Sequence, residues 1–181
     1  MQTIEPGASW AQVRPEWVAL AVSMDAQHDR PNIITLGWTM HTSDHPSMAA
    51  IAIGHGGYSR ELIMREREFV LAYPNARMGA AALYCGTHSG RDVDKFANTN
   101  LVPVPAKIVK PPLIQGAVVN MECKVVGTLE TGDHTLFVGE IVAAHGDPEE
   151  REILLNFGAR GSSGERLLTG LSGYFEHMRQ H

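Results

Sequence analysis

The stretch Cys85-Gly86-Thr87-His88-Ser89-Gly90-Arg91-Asp92-Val93-Asp94-Lys95-Phe96 gathers two glycines, two hydroxyls and two cations. That mixture suits an anionic group, because backbone N–H groups and a nearby Lys or Arg together offset phosphate charge. The same residues also read as a solvated loop followed by a helix capped by Asp92. A second stretch, Asn32 to Thr39 (NIITLGWT), sets hydroxyls, a glycine and Trp38 on an expected strand. Such a strand lets a flat ring or a phosphate approach the backbone closely. Trp38 is either a wall for that ring or part of the core. His134 opens another strand directly after a Gly-Asp turn, where its imidazole either meets a ligand or caps the turn.

Other chemistries find less support. His41 and His45 stand four apart, but Asp44-His45-Pro46 reads as a turn, because the residue before proline avoids the helical region. No Cys or carboxylate set completes a metal site there, and no metal is expected. Neither the P-loop spacing nor a G-x-G-x-x-G fingerprint is present. Ser162-Ser163 lies between glycines without the G-x-S-x-G elbow. Cys85 falls at a predicted helix C-terminus, the wrong end to stabilise a thiolate, and Cys123 alternates with core residues. A hydrolase has no anchor here.

Periodicity and turn chemistry give the elements that must position these residues. Trp17 to Asp25 (WVALAVSMD) is an apolar strand bounded by AQHDRPN, with Asn32 to Thr39 as its hairpin partner. Met48 to Ile53 is another strand, closed by the GHGG of Gly54 to Gly57. Ser59 is expected to cap a helix running to about Arg67, with Leu62 and Ile63 facing inward. Glu68 to Tyr73 returns as a strand that Pro74 stops. Asn75 is expected to cap the alanine-rich helix ending near Cys85–Gly86. Ala117, Val119, Met121, Cys123 and Val125 alternate with Asn120, Glu122 and Lys124, the pattern of a half-buried strand. Thr131-Gly132-Asp133 makes the turn and His134 to Ala144 runs back. Asp147-Pro148-Glu149-Glu150 resembles a helix start. Short strands with two or three helices between them predict a closed or nearly closed barrel with helical decoration.

Bulk properties bound the function classes. The chain has 181 residues, 44% hydrophobic and 19% charged, with a formal charge of −5. That is a globular composition long enough for one core, and one domain is expected over residues 1–181. A clustered basic face for nucleic acid is absent, as is a run of about 18 apolar residues for a membrane span. The N-terminus has no basic-then-apolar signal, and two cysteines are too few for a disulfide framework. A cytoplasmic protein without nucleic-acid or membrane partners is expected.

Read in order, these segments resemble the flavin reductase-like family, which includes flavoredoxins and ferric reductases. The resemblance covers roughly Trp17 to Ala144 and rests on PNIITLGWTMHTSDHP, AIAIGHGGYSRELI, REFVLAYP, CGTHSGRDVDKF, and the MECKV and GDHTLFVGEIVAA hairpin. It implies a mainly β fold with helices, a six-stranded antiparallel split barrel that binds FMN. It also implies a homodimer with flavin in a groove at the interface. By position, Thr35, Trp38 and Thr39 would lie along the flavin, and Asn32 would shape the start of the same strand. Ser43 and Ser59 would approach the ribityl-phosphate, with Ser89 and Lys95 neutralising it. The loop GHGGYSRE lacks the Arg or Lys often found before the serine, so Arg60 would share in holding the phosphate. His134 would act as the catalytic residue near the flavin or the incoming nicotinamide.

The activity implied by the resemblance is NAD(P)H-dependent reduction of flavin, or of an acceptor through bound flavin, with FMN as cofactor and FAD as the alternative. A partner oxygenase or other electron acceptor would take the product. A flavin-binding electron carrier without NAD(P)H turnover is the second reading, and a flavin-free relative binding another small molecule is the third.

Overall fold

The computed structural model describes residues 2–146, 152–160 and 165–170. After a 3-10 turn over Pro6–Gln12, β1 is the short Glu16–Trp17, followed by β2 (Ala19–Asp25) and β3 (Arg30–Leu36). These two form the expected hairpin, Ala19 opposite Leu36 and Asp25 opposite Arg30. Next come β4 (Thr39–Asp44), β5 (Ser47–Gly54), α1 (Tyr58–Glu66), β6 (Glu68–Tyr73) and α2 (Gly79–Thr87). The chain continues through β7 (Pro103–Val104), β8 (Leu113–Ile114), β9 (Val119–Thr131) and β10 (His134–Gly146) to β11 (Leu154–Arg160) and β12 (Glu165–Gly170). Asp147 to Glu150, Ser162-Ser163 and the tail beyond Gly170 lie outside the described residues.

The main sheet has seven strands in the order β3-β2-β6-β9-β10-β5-β4, each neighbouring pair antiparallel. Its two edge strands, β3 and β4, are consecutive in the chain and separated only by Gly37 and Trp38. Laid flat, such a sheet would be about 29 Å wide, whereas three peptide units reach at most about 11 Å. The sheet is therefore rolled, and hydrogen bonding between β3 and β4 does not close it. The mainly β, antiparallel reading stands, with seven strands in an unclosed sheet in place of six. The difference arises at Gly37. Asn32 to Thr39 is not one strand: the chain leaves β3 at Leu36, passes against β1 and begins β4 on the opposite edge. A Cβ at Gly37 would lie 2.9 Å from Glu16 Oε2 and 3.3 Å from the Trp17 carbonyl oxygen, so the crossing needs glycine.

β2 is buried on both faces, which is why its sequence is a continuous apolar run. Ala19 and Ala21 pack on the concave side with Ile51, Ile63, Phe69, Cys123 and Phe137. Leu20 and Val22 pack on the other side with α2, Phe96, Leu101 and Ile114. Leu62 and Ile63 of α1 are fully buried, as their spacing predicts. Ser59 does not cap that helix. Gly57 is the N-cap residue, no side chain caps the first turn, and Ser59 sits one residue inside with its hydroxyl buried. Asn75 does not cap α2, whose N-cap is Met78 without a side-chain bond; it caps the 3-10 turn Ala76–Met78 just before it, accepting from the Arg77 N–H. No helix follows Asp92; the segment is a series of turns, in which Asp94 Oδ1 accepts from the Ala97 N–H. Thr131 pairs with His134, leaving Gly132-Asp133 as a two-residue hairpin loop with Gly132 at φ +52°.

Candidate functional site

Three adjoining pockets form one groove along β3, the Gly37–Trp38 crossing and the start of β4. The first, about 230 Å³, lies between the N-terminus of α1 and the Ser89–Arg91 loop and is lined by Asn32, Ser59, Ser89 and Lys95. It shares Gly86 and Thr87 with a second pocket of about 410 Å³ that holds Thr35 and Trp38. The third, also about 410 Å³, shares Glu16, Gly37 and Trp38 with the second and adds Thr39, Met40 and Trp10. The structure thus brings Asn32, Ser59, Ser89 and Lys95 together at one end and Trp38 and Thr39 at the other, with Thr35 between.

The first end is built for an anion. Lys95 is only 4% exposed, yet no carboxylate pairs with it among the described residues. Its Nζ donates to the Ile33 carbonyl oxygen at 2.6 Å and to that of Cys85 at 2.7 Å. An ammonium carries three N–H donors, so one remains for the pocket. Burial pulls the Lys95 pKa down, with the neighbouring Cys85 thiol opposing the fall. Across the pocket stand the first-turn N–H groups of α1, which no side chain caps. Asn32 is 3% exposed and donates through Nδ2 to Ser59 Oγ at 2.8 Å, but its Oδ1 is buried without a partner. An unpaired buried acceptor of this kind is costly unless a ligand or solvent completes it.

The other end suits a flat ring. Trp38 is 52% exposed, and its ring lies 4.5 Å from that of His134, tilted by 38°. The His134 Nδ1 sits 2.5 Å from Asp133 Oδ1, which leaves Nε2 as the free ring nitrogen. Thr39 Oγ1 is 2.9 Å from Tyr73 OH. Thr35 donates to the Ala82 carbonyl oxygen at 2.6 Å and holds the middle of α2 against β3.

Three residues expected in the site, His134, Arg60 and Ser43, line none of the three pockets, although His134 touches the groove through its contact with Trp38. Arg60 donates through Nε to Thr135 Oγ1 at 2.6 Å and through Nη2 to Glu130 at 3.1 Å, which ties it to the β9–β10 hairpin. Ser43 pairs with Met48, at the end of β5 away from Gly54, and lines none of the three pockets. Three others came without warning from the sequence. Arg14 pairs with Glu16, and Asn156 Nδ2 donates to Glu16 Oε2 at 3.3 Å, walling the middle pocket. Asn156 is 140 positions from Glu16, and no short-range pattern signals such a contact.

Both cysteines are free and buried. Burial pushes the Cys85 thiol up to about 11 against the pull of Lys95, and the Cys123 thiol up to about 12. Among the described residues no cluster of three or more His, Cys, Asp or Glu could hold a metal, and no helix is long and apolar enough to cross a membrane.

Fold and groove together define a class: a rolled antiparallel sheet with a groove along its split edge, polar and cationic at one end and aromatic at the other. The model of the flavin reductase like domain matches residues 14–164, and the chain belongs to that family. An uncharacterised protein of Archaeoglobus fulgidus is 38% identical over 152 residues, covering 82% of this chain and 86% of its own length. An NADH-dependent FAD reductase of Streptomyces globisporus is 29% identical over 114 residues, 62% of each chain. Flavoredoxin from Methanosarcina acetivorans shares the fold with a TM-score of 0.79 at 24% identity, covering 96% of this chain and 92% of its own.

Proposed function

We propose that the protein is a flavin-dependent oxidoreductase that binds FMN in the groove and takes its electrons from NAD(P)H. The observation that carries this reading is a buried lysine with no carboxylate partner among the described residues at one end of a groove and the half-exposed Trp38 at the other. The residues present fit the cofactor: the uncapped first turn of α1 and the spare donor of Lys95 suit a phosphate arm, with Ser59 and Ser89 beside them. When bound, the flavin supplies the redox chemistry, accepting electrons from a reduced nicotinamide.

The chain's own contribution is binding, orientation and exclusion of water. Lys95 and the α1 N-terminus would offset the phosphate charge, and Ser59 and Ser89 would supply hydroxyls beside it. Trp38 and Thr39 would flank the ring, with Thr35 fixing the strand beneath. His134, its Nδ1 engaged by Asp133, would present Nε2 at the ring edge and hold or release a proton there. Arg60 and Ser43 take no part in this reading, given their placement. We read the working unit as a homodimer with the groove at its interface and the acceptor as a partner oxygenase or other electron-accepting protein. FAD, the substrate named for the Streptomyces relative, is the alternative flavin.

A visible absorption and fluorescence titration with FMN and FAD tests the first half. Saturation near one FMN per subunit, with a shifted spectrum, is the expected result; no shift and no saturation with either flavin would overturn the assignment. Anaerobic mixing of the loaded protein with NADH and NADPH tests the second half. Bleaching of the flavin band is expected, and a band that stays oxidised would make the protein an electron carrier.

A further inference from the structure

Asp25 closes β2, is 1% exposed and lines none of the three pockets. Four donors converge on its carboxylate: Tyr58 OH at 2.5 Å, the His28 ring at 2.5 Å, Arg65 Nη2 at 3.1 Å and the Gln27 N–H at 3.2 Å. Burial alone would raise its pKa, but the hydrogen bonds from Tyr58, His28 and Arg65 outweigh it and hold the carboxyl well below the usual range. Tyr58, the first residue of α1, does line the anion pocket. Its ring carries the Arg91 guanidinium 4.9 Å from its centroid. A Cβ on Gly90 would lie 1.9 Å from Asn32 Oδ1 and 3.3 Å from Tyr58 Cδ1, so this loop residue is boxed in and must be glycine. Arg30 Nη2 completes the clamp by donating to the Gly90 carbonyl oxygen at 2.7 Å.

We infer that Asp25 and Tyr58 are positioning residues for the anion end of the groove. Asp25 fixes the phenol of Tyr58, and the ring fixes the Ser89–Arg91 loop so that loop, Lys95 and α1 N-terminus face one phosphomonoester together. The inference rests on the flavin reading of the groove and deepens it. A loop freed from this clamp would weaken the hold on a phosphate arm and spare the ring, because Tyr58 lines neither of the pockets that hold Trp38.

Riboflavin, which has the same ring and no phosphate, separates the two contributions. FMN and riboflavin are titrated into the wild-type chain and into Tyr58→Phe and Asp25→Asn, with flavin fluorescence as the readout and melting temperature alongside. Tyr58→Phe keeps the ring beneath Arg91 and removes only the hydroxyl that Asp25 accepts from. Loss of that charge-assisted bond is expected to weaken FMN about 5- to 10-fold and to leave riboflavin within about twofold. Equal weakening of both flavins, or unchanged FMN affinity in Tyr58→Phe, would overturn the positioning role. If Asp25→Asn does not fold, the Tyr58→Phe result decides alone. A wild-type protein that binds neither flavin would instead overturn the flavin reading, and the inference with it.

Discussion

Trp38 keeps half its surface in solvent, lines two of the pockets and lies against the His134 ring. Neither buried cluster of the fold includes it. Of its two readings, wall and core, this placement favours the wall. Trp38→Ala is therefore expected to raise the FMN dissociation constant about tenfold, the worth of one stacking contact, and to shift the melting temperature by no more than about 2 °C. Parallel titration and thermal melts check this, and a large fall in melting temperature would put Trp38 in the core. At this scale the sequence was legible wherever a residue type carries its chemistry locally: Lys95, Ser89 and Trp38 all line the groove, and His134 lies against Trp38 at its edge. It was silent about Arg14, Glu16 and Asn156, whose meeting depends on β1 pairing with β11 across the whole chain. Arg60 misled because a cation beside a serine says nothing of direction, and here Glu130 and Thr135 turn it away.

Element boundaries were legible where turns are chemically explicit, as at Pro74, Asn75 and Gly132-Asp133. They failed where one run of strand-forming residues serves two strands, as at Gly37. The alternation on β9 was misleading in a different way. Asn120 and Glu122, the polar members of the pattern, are buried at 5% and 0% exposure. Asn120 exchanges hydrogen bonds with the backbone of Ile114. Glu122 accepts from the N–H groups of Lys107, Ile108 and Val109 at 2.6–3.0 Å and lies 2.6 Å from His145 Nε2. These bonds tie the irregular segment after β7 to the sheet. Burial raises the Glu122 pKa, but the bonds from Lys107, Val109, His145 and Ile108 more than reverse that and bring it to about 2. A carboxylate with a depressed folded pKa stabilises fully above its unfolded value near 4.5 and loses that contribution as pH falls toward 2. Glu122→Gln would turn an amide NH₂ toward backbone donors. It is expected to cost about 3 kcal/mol at pH 7, with the difference from wild type shrinking below about pH 4. Urea unfolding at pH 7 and pH 3 measures it; a pH-independent gap would mean that charge plays no part in the pin.

For the whole molecule, the third pocket and its surroundings form an apolar face that a monomer leaves wet. Trp10 is 64% exposed, Val13 60% and Met40 54%, and all three line the same groove as Trp38. The 3-10 turn carrying Trp10 has no buried residue, so the chain does not need that side chain for its own core. Such an apolar face suits an interaction site, and a second copy of the chain is the proposed occupant because it would also wall the ring end of the groove. Dimerisation and flavin binding should then be coupled, each strengthening the other by the same factor. Trp10→Glu places a charge in the centre of the patch and is expected to weaken the dimer by at least about 30-fold, the loss typical of a buried aromatic anchor. FMN affinity should fall with it at subunit concentrations below the new dimer dissociation constant and recover above it. Sedimentation velocity and FMN titration over the same concentration series read both quantities. A wild-type chain that remains monomeric at high concentration, yet binds FMN with undiminished affinity, would mean that each subunit closes its groove alone and that the apolar face serves another partner.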